Sequence, residues 1–101
     1  YKVFCFDGVP ALIAVNTGRA AGMRINYFSP RWRELDIVRV DYPRASAPIA
    51  APPGLQRMLG LARALSAGLS FLRVDFYAVG DRILVGELTN LPDAAHIRFA
   101  S

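Results

Sequence analysis

The chain has 101 residues, 53% of them hydrophobic, with a formal charge of +4. That length accommodates one small domain with a real core, and that apolar content excludes a disordered chain. No apolar run reaches the roughly 18 residues that mark a membrane span, no signal peptide follows Tyr1, and a lone cysteine, Cys5, excludes an internal disulfide and a cysteine zinc cage.

Taken in order, Tyr1 to Phe6 alternates and is rich in aromatics, and Ala11 to Val15 is apolar and β-compatible. Asp7-Gly8 between them is a strong turn signal, so a β-hairpin is predicted over residues 2 to 15. Cys5, flanked by Phe4 and Phe6, reads as a small core residue. Asn16-Thr17-Gly18 ends the second strand, and Gly22 and Arg24 fall in a predicted loop. Ser29-Pro30 is placed to open one helical turn through Trp32, Arg33 and Glu34. Ile37 to Tyr42 reads as a short strand stopped by Pro43, and Ala45 to Pro53 as an extended connector. A helix follows from about Pro53 to Ala67, with Leu55, Met58, Leu59, Ala62 and Leu65 at helical spacing and Gly68 at its C-terminus. Arg57 and Arg63 are placed on its solvent side. Two strands, Phe71 to Ala78 and Arg82 to Asn90, close the pattern around a turn at Gly80-Asp81. Hairpin, irregular segment, helix and hairpin make an α+β fold with a mainly antiparallel sheet and one principal helix.

Lys2 is the only lysine among the twelve Lys and Arg residues. Six arginines fall between Arg19 and Arg44 against Glu34, Asp36 and Asp41. Such a local excess favours anionic ligands, and no nucleic-acid motif accompanies it. A non-catalytic module that binds an anionic polymer through Arg19–Arg44 is one reading of the chain.

Asp75 and Glu87 point to different chemistry, because both sit in apolar strands. Burying a carboxylate costs several kcal/mol, on the order of the cost of an unpaired ion, unless a cation or a hydrogen-bond network compensates. Alternation aims Leu72, Val74 and Phe76 at the helix and Arg73, Asp75 and Tyr77 away from it. On the next strand Glu87, Thr89 and Val85 are expected to share a face. A regular ladder with a two-residue loop pairs Asp75 with position 86, which turns Glu87 away. A shared site therefore predicts a three-residue loop, Gly80-Asp81-Arg82. With that register, hard oxygen donors on a rigid sheet suit Mg²⁺ with a substrate phosphate, and Arg73 is placed to hold a phosphoryl group. A structural ion pair between Arg73 and either acid is the alternative.

Arg73-Val-Asp-Phe-Tyr77 followed by Gly86-Glu-Leu-Thr-Asn-Leu-Pro92 resembles the end of the ATP-grasp fold, as in D-alanine–D-alanine ligases. The closer likeness is to the TupA-like ATP-grasp family. It is carried by four segments in order: Tyr1 to Gly8, Asn26-Tyr27-Phe28 before Trp32, Leu72 to Tyr77, and Gly86 to Thr89. The resemblance covers nearly the whole chain. It implies a single domain over residues 1–101 that forms the C-terminal part of an ATP-grasp domain, with the N-terminal part missing and this fragment inactive alone. It implies ATP and Mg²⁺ as cofactors, Asp75 and Glu87 as metal ligands, and Arg73 as the contact to the transferred phosphoryl group. The third ligand of the ligases is an asparagine two places after the glutamate. That position is Thr89 here, with Asn90 reachable through a bulge. The glycine-rich turn is absent, since Pro92 precedes Asp93-Ala94-Ala95.

The family chemistry is ATP activation of a carboxylate followed by attack of an amine, in assembly of bacterial cell-surface polysaccharide or teichuronopeptide-type polymers. Some relatives carry a glycosyltransferase label. Expected partners are a nucleotide and a carboxylate or sugar-containing acceptor, in the cytoplasm, with no nucleic acid. Arg24 and Arg31 are weaker candidates for contact with ATP phosphates. Lys2 is not read as one of the fold's ATP lysines, His96 reads as a surface residue, and Trp32 and Tyr77 read as packed aromatics. No Ser-His-Asp set is assembled around the one histidine, His96.

Overall fold

The computed structural model describes residues 1–18, 22–39, 42–90 and 99–100. The N-terminal hairpin forms as expected, from β1 (Lys2–Phe6) and β2 (Val9–Thr17), with β2 running beyond Val15. Asp7 (φ 52°) and Gly8 (φ 78°) both take left-handed backbone, the requirement of a two-residue turn whose twist matches the strands. The ladder pairs Phe4 with Leu12 and then Cys5 with Pro10, so Ala11 is an extra residue. Pro10, which has no N–H to donate, is tolerated beside that bulge.

The next segment departs from expectation. Arg24 is not in a loop but begins β3 (Arg24–Phe28), which pairs with β2. Ile25 and Tyr27 are buried on one face, and Asn26 and Phe28 on the other. A strand covered on both sides shows no alternation, which is why periodicity missed it. The predicted helical turn after Ser29 is instead a tight reversal. Trp32, at φ 62°, donates its N–H to the Ser29 carbonyl at 2.9 Å, and Glu34 returns to bridge Phe28. The short strand expected over Ile37 to Tyr42 is only β4 (Val38–Arg39) within the described residues. The connector is pinned to the sheet by Asn26, whose amide donates to Glu34 Oε2 and the Ala45 carbonyl and accepts from the Ala45 N–H. The Trp32 indole donates to the Ile49 carbonyl at 2.9 Å while its ring stacks on Phe28.

Helix α1 (Leu55–Ser66) buries Leu55, Met58, Leu59, Ala62 and Ser66. Leu65 does not join the stripe; it is 40% exposed and Ser66 takes the inward position four residues after Ala62. The helix ends at Ala67 (φ −57°, ψ 129°) and not on the expected Gly68 cap; Gly68 (φ 82°) sits in the following turn, which the Leu69 N–H closes on the Ser66 carbonyl at 3.0 Å. The chain then forms β5 (Phe71–Val79), β6 (Arg82–Thr89) and the short β7 (Phe99–Ala100), which pairs with β4.

The main sheet is antiparallel in the order β3-β2-β1-β5-β6. One face, with Val3, Cys5, Ile13, Val15, Phe28, Leu72, Val74 and Phe76, packs on α1 around the fully buried Met58. The other face carries Phe4, Ala14, Ile25 and Tyr27, against which Leu35, Ile37 and Tyr42 pack. That second cover reaches the β3-β2-β1 side of the sheet. The β1-β5-β6 side of the same face carries Lys2, Arg73, Asp75, Glu87 and Thr89.

Candidate functional site

Asp75 and Glu87 stand directly opposite each other on β5 and β6, on one face, but not by the expected route. The predicted three-residue loop is absent. Val79 pairs with Arg82 across a two-residue Gly80-Asp81 loop, and the same register runs to Phe76 opposite Val85. There it shifts, so that Asp75 meets Glu87 and Arg73 meets Thr89. Gly86 is the extra residue of a β-bulge, and the bulge returns Glu87 to the face that a regular ladder would have denied it. Val85, opposite the core residue Phe76, therefore lies on the other face from Glu87, contrary to expectation. A Cβ at position 86 would overlap the ring of Tyr77, so the bulge residue has to be glycine for the ring to lie there. The same device, a two-residue turn with a bulge on the second strand, appears in both hairpins.

Asp75 is 6% exposed and fully engaged. Arg73 donates Nε to Oδ1 at 2.9 Å and Nη2 to Oδ2 at 3.2 Å, a bidentate clasp, and Nη2 also donates to Thr89 Oγ1 at 3.3 Å. Lys2, directly opposite Asp75 on β1, donates Nζ to Oδ2 at 2.8 Å. The carboxylate is thus buried with two cations, which is how a charged group is tolerated at such depth. Glu87 is exposed and makes no hydrogen bond or ion pair among the described residues. Asn90 lies past the end of β6, and no second bulge brings it to this face.

Lys2 is the member of the cluster that sequence reasoning passed over. It is separated from Asp75 by 73 positions, and nothing in the local pattern of Tyr1 to Phe6 reveals that β1 pairs with β5. The available signal was that Lys2 is the sole charged side chain of β1 and shares its parity with Phe4 and Phe6, away from the helix.

The remaining candidates lie elsewhere. Arg24 pairs with Thr17 while Ile25, its neighbour, faces the second core, so Arg24 projects from the face opposite Asp75. Arg31 is exposed on the Ser29–Arg33 reversal. Arg44 bridges Glu34 at 3.6 Å and Asp36 at 3.4 Å. Arg19, Pro92, Asp93-Ala94-Ala95 and His96 lie outside the described residues. Cys5 is buried beneath α1 with Sγ 3.8 Å from the Ala62 carbonyl, and burial pushes its thiol pKa up from 9.0 despite the hydrogen bond with Ser66 and the charge of Arg63.

Among the described residues no group of three or more His, Cys, Asp and Glu side chains converges on a metal position. Two opposed carboxylates with a threonine hydroxyl on the same face nevertheless match the donor set of Mg²⁺, which takes one or two carboxylates and completes its shell with phosphate and water oxygens. Glu87 presents an uncommitted carboxylate to such an ion, beside Asp75, whose charge is held by Lys2 and Arg73.

The family model for TupA-like ATPgrasp matches residues 1–100. Neither curated proteins nor solved structures give a match. With the match covering all but the last residue of the chain, this protein belongs to the TupA-like ATP-grasp family, and that membership points to an ATP-dependent, ligase-type function.

Proposed function

We propose that the chain supplies the Mg²⁺–phosphate platform of a carboxylate–amine ligase. The observation that carries this reading is the bulge-set register, which puts Asp75 and Glu87 face to face with Arg73 clasping Asp75 and reaching Thr89. Glu87 and Asp75 would hold Mg²⁺, with Thr89 as the neighbouring oxygen. When bound there, Mg²⁺ would supply charge neutralisation for the nucleotide phosphates. Arg73 contributes a planar guanidinium whose Nη1 is outside its contacts with Asp75 and Thr89, and it would take the phosphoryl group in transfer. In the reaction a substrate carboxylate oxygen takes the γ-phosphoryl group of ATP and ADP departs. An amine then attacks the acyl phosphate carbon and inorganic phosphate leaves.

Placement in cytoplasmic assembly of a bacterial cell-surface polysaccharide or teichuronopeptide-type polymer follows from the family resemblance. No helix among the described residues is long and apolar enough to cross a membrane. The polymer-binding reading is weakened by Arg44, whose charge is already taken up by Glu34 and Asp36. In the protein that carries this chain, Asp75→Asn and Glu87→Gln should each reduce ATP turnover by at least a hundredfold, on the order of a lost charge-stabilising group. Turnover undiminished in either variant sinks the assignment.

A further inference from the structure

Lys2 reaches Asp75 from a strand outside the β5-β6 hairpin. It stands opposite Asp75 on β1 and donates Nζ to Oδ2 at 2.8 Å. Arg73 donates to both oxygens, at 2.9 Å to Oδ1 and 3.2 Å to Oδ2. A carboxylate offers about four lone-pair positions, and these contacts fill three of them. The two cations hold Asp75 differently. The Arg73 guanidinium is a planar fork seated on both oxygens, with its side chain 16% exposed. The Lys2 ammonium makes one contact with the carboxylate at the end of a flexible stem, with its side chain 31% exposed. Of the two, Lys2 is the cation that can leave.

Glu87, opposite Asp75 on the same face, carries the second negative charge of the cluster. Lys2 and Arg73 against Asp75 and Glu87 leave it neutral. A neutral cluster exerts little long-range pull on a free divalent cation. At short range such a cation meets an ammonium and a guanidinium already on one of the two carboxylates, and like charges that close repel strongly where water is scarce. A nucleotide phosphate changes both effects. It brings negative charge to the face, and it offers the Lys2 ammonium an acceptor other than Asp75.

We propose that Lys2 is a counter-ion latch on the metal position: it holds the Asp75 carboxylate and gives it up to Mg²⁺ only when a nucleotide phosphate takes the ammonium in exchange. Lys2 acts through Asp75 and is therefore a positioning residue. The exchange couples the two ligands, so that each binds this face more tightly in the presence of the other. This role rests on the Mg²⁺–phosphate platform proposed above and assigns to it a residue from outside the hairpin.

The test follows Mn²⁺, a paramagnetic stand-in for Mg²⁺, by the broadening of the Asp75 and Glu87 amides in the ¹⁵N-labelled protein that carries this chain. It is run at matched free Mn²⁺ with and without ADP, which supplies phosphates and is not turned over. In the unmodified protein ADP should tighten Mn²⁺ at these amides. Without ADP, Lys2→Met should bind Mn²⁺ about tenfold more tightly than the unmodified protein, within the usual range of coupling between sites, and should gain correspondingly less from ADP. Lys2→Gln keeps a donor for Asp75 without the charge; it should change in the same direction and serves if the methionine variant does not fold. Arg82→Met removes a cation from the same face, opposite Val79 and away from Asp75, and should shift Mn²⁺ affinity by less than about twofold. Equal Mn²⁺ affinity in the unmodified protein and both Lys2 variants overturns the latch and leaves the platform standing. A gain from Arg82→Met as large as that from Lys2→Met also overturns it, because the effect is then one of overall charge. No broadening of these amides in any of the proteins, even with ADP, removes the platform and the latch together.

Discussion

At the scale of single residues, Asp75 shows how a carboxylate is kept in an apolar sheet. Its oxygens accept from Arg73 twice and from Lys2 once, so neither is left bare. Removing one cation exposes the cost. Arg73→Leu should lower unfolding stability by about 1.5 kcal/mol, the order of a lost hydrogen bond to a charged group while Lys2 still pairs Asp75. Urea denaturation at neutral pH checks this, and a loss under about 0.5 kcal/mol, the level of an exposed pair, contradicts the clasp. Cys5 titrates in the opposite sense to a paired acid. Burial raises its folded pKa above 9.0, so the unfolded chain releases the thiol proton first as the pH climbs. The stability this contributes is whole below pH 9.0 and is lost above it. Unfolding measured across that range should show a steeper alkaline decline for the unmodified chain than for Cys5→Ala. The sequence showed Asp75, Glu87 and Arg73 as a group because alternation and a single hairpin relate them. It hid Lys2, because a strand's partner 73 positions away leaves no local trace.

At the scale of elements, the hairpin β5-β6 turns on one glycine. The sequence argument held that a two-residue loop and a shared carboxylate face exclude each other, and for a regular ladder they do. Gly86 removes the conflict by adding one residue to β6, and the Tyr77 ring covers the bare backbone. Gly86→Val should displace that half-exposed ring and cost about 1 kcal/mol, the order of an ordinary substitution. Tyr77→Ala should restore part of the loss, with a coupling energy of about 1 kcal/mol between neighbours in contact. Additive losses in that double-mutant cycle would show that the ring and the bulge are unrelated. In α1 the stripe from Leu55 to Ala62 was legible from spacing, whereas Leu65 was misplaced. Hydrophobicity assigned it inward, but the helix ends against the sheet with Ser66 facing in.

At the scale of the molecule, β1 is the central strand that joins the two halves. It pairs with β2 on one side and β5 on the other, and α1 lies across all three. A piece beginning at Pro53 would keep α1, β5 and β6 but leave β5 unpaired along one edge and the apolar stripe of α1 without Val3, Cys5 and Ile13 beneath it. Such a piece should show no cooperative thermal transition by circular dichroism, while the whole chain does. A cooperative transition in the piece would mean that β1 is an ornament of the fold and not its centre.

The sequence by itself determined the two hairpins, the helix, the α+β class, the family resemblance and the grouping of Arg73, Asp75 and Glu87 in one hairpin. Those rest on local periods, turn residues and motifs, which short stretches of chain carry within themselves. Tertiary structure decided the rest: that β3 is a strand covered on both faces, that Lys2 shares the Asp75 carboxylate, and that a bulge and not a longer loop aligns Glu87. Each of these depends on which strands lie side by side. Pairing between distant strands is chosen by the burial of the whole sheet, a quantity that no single segment encodes.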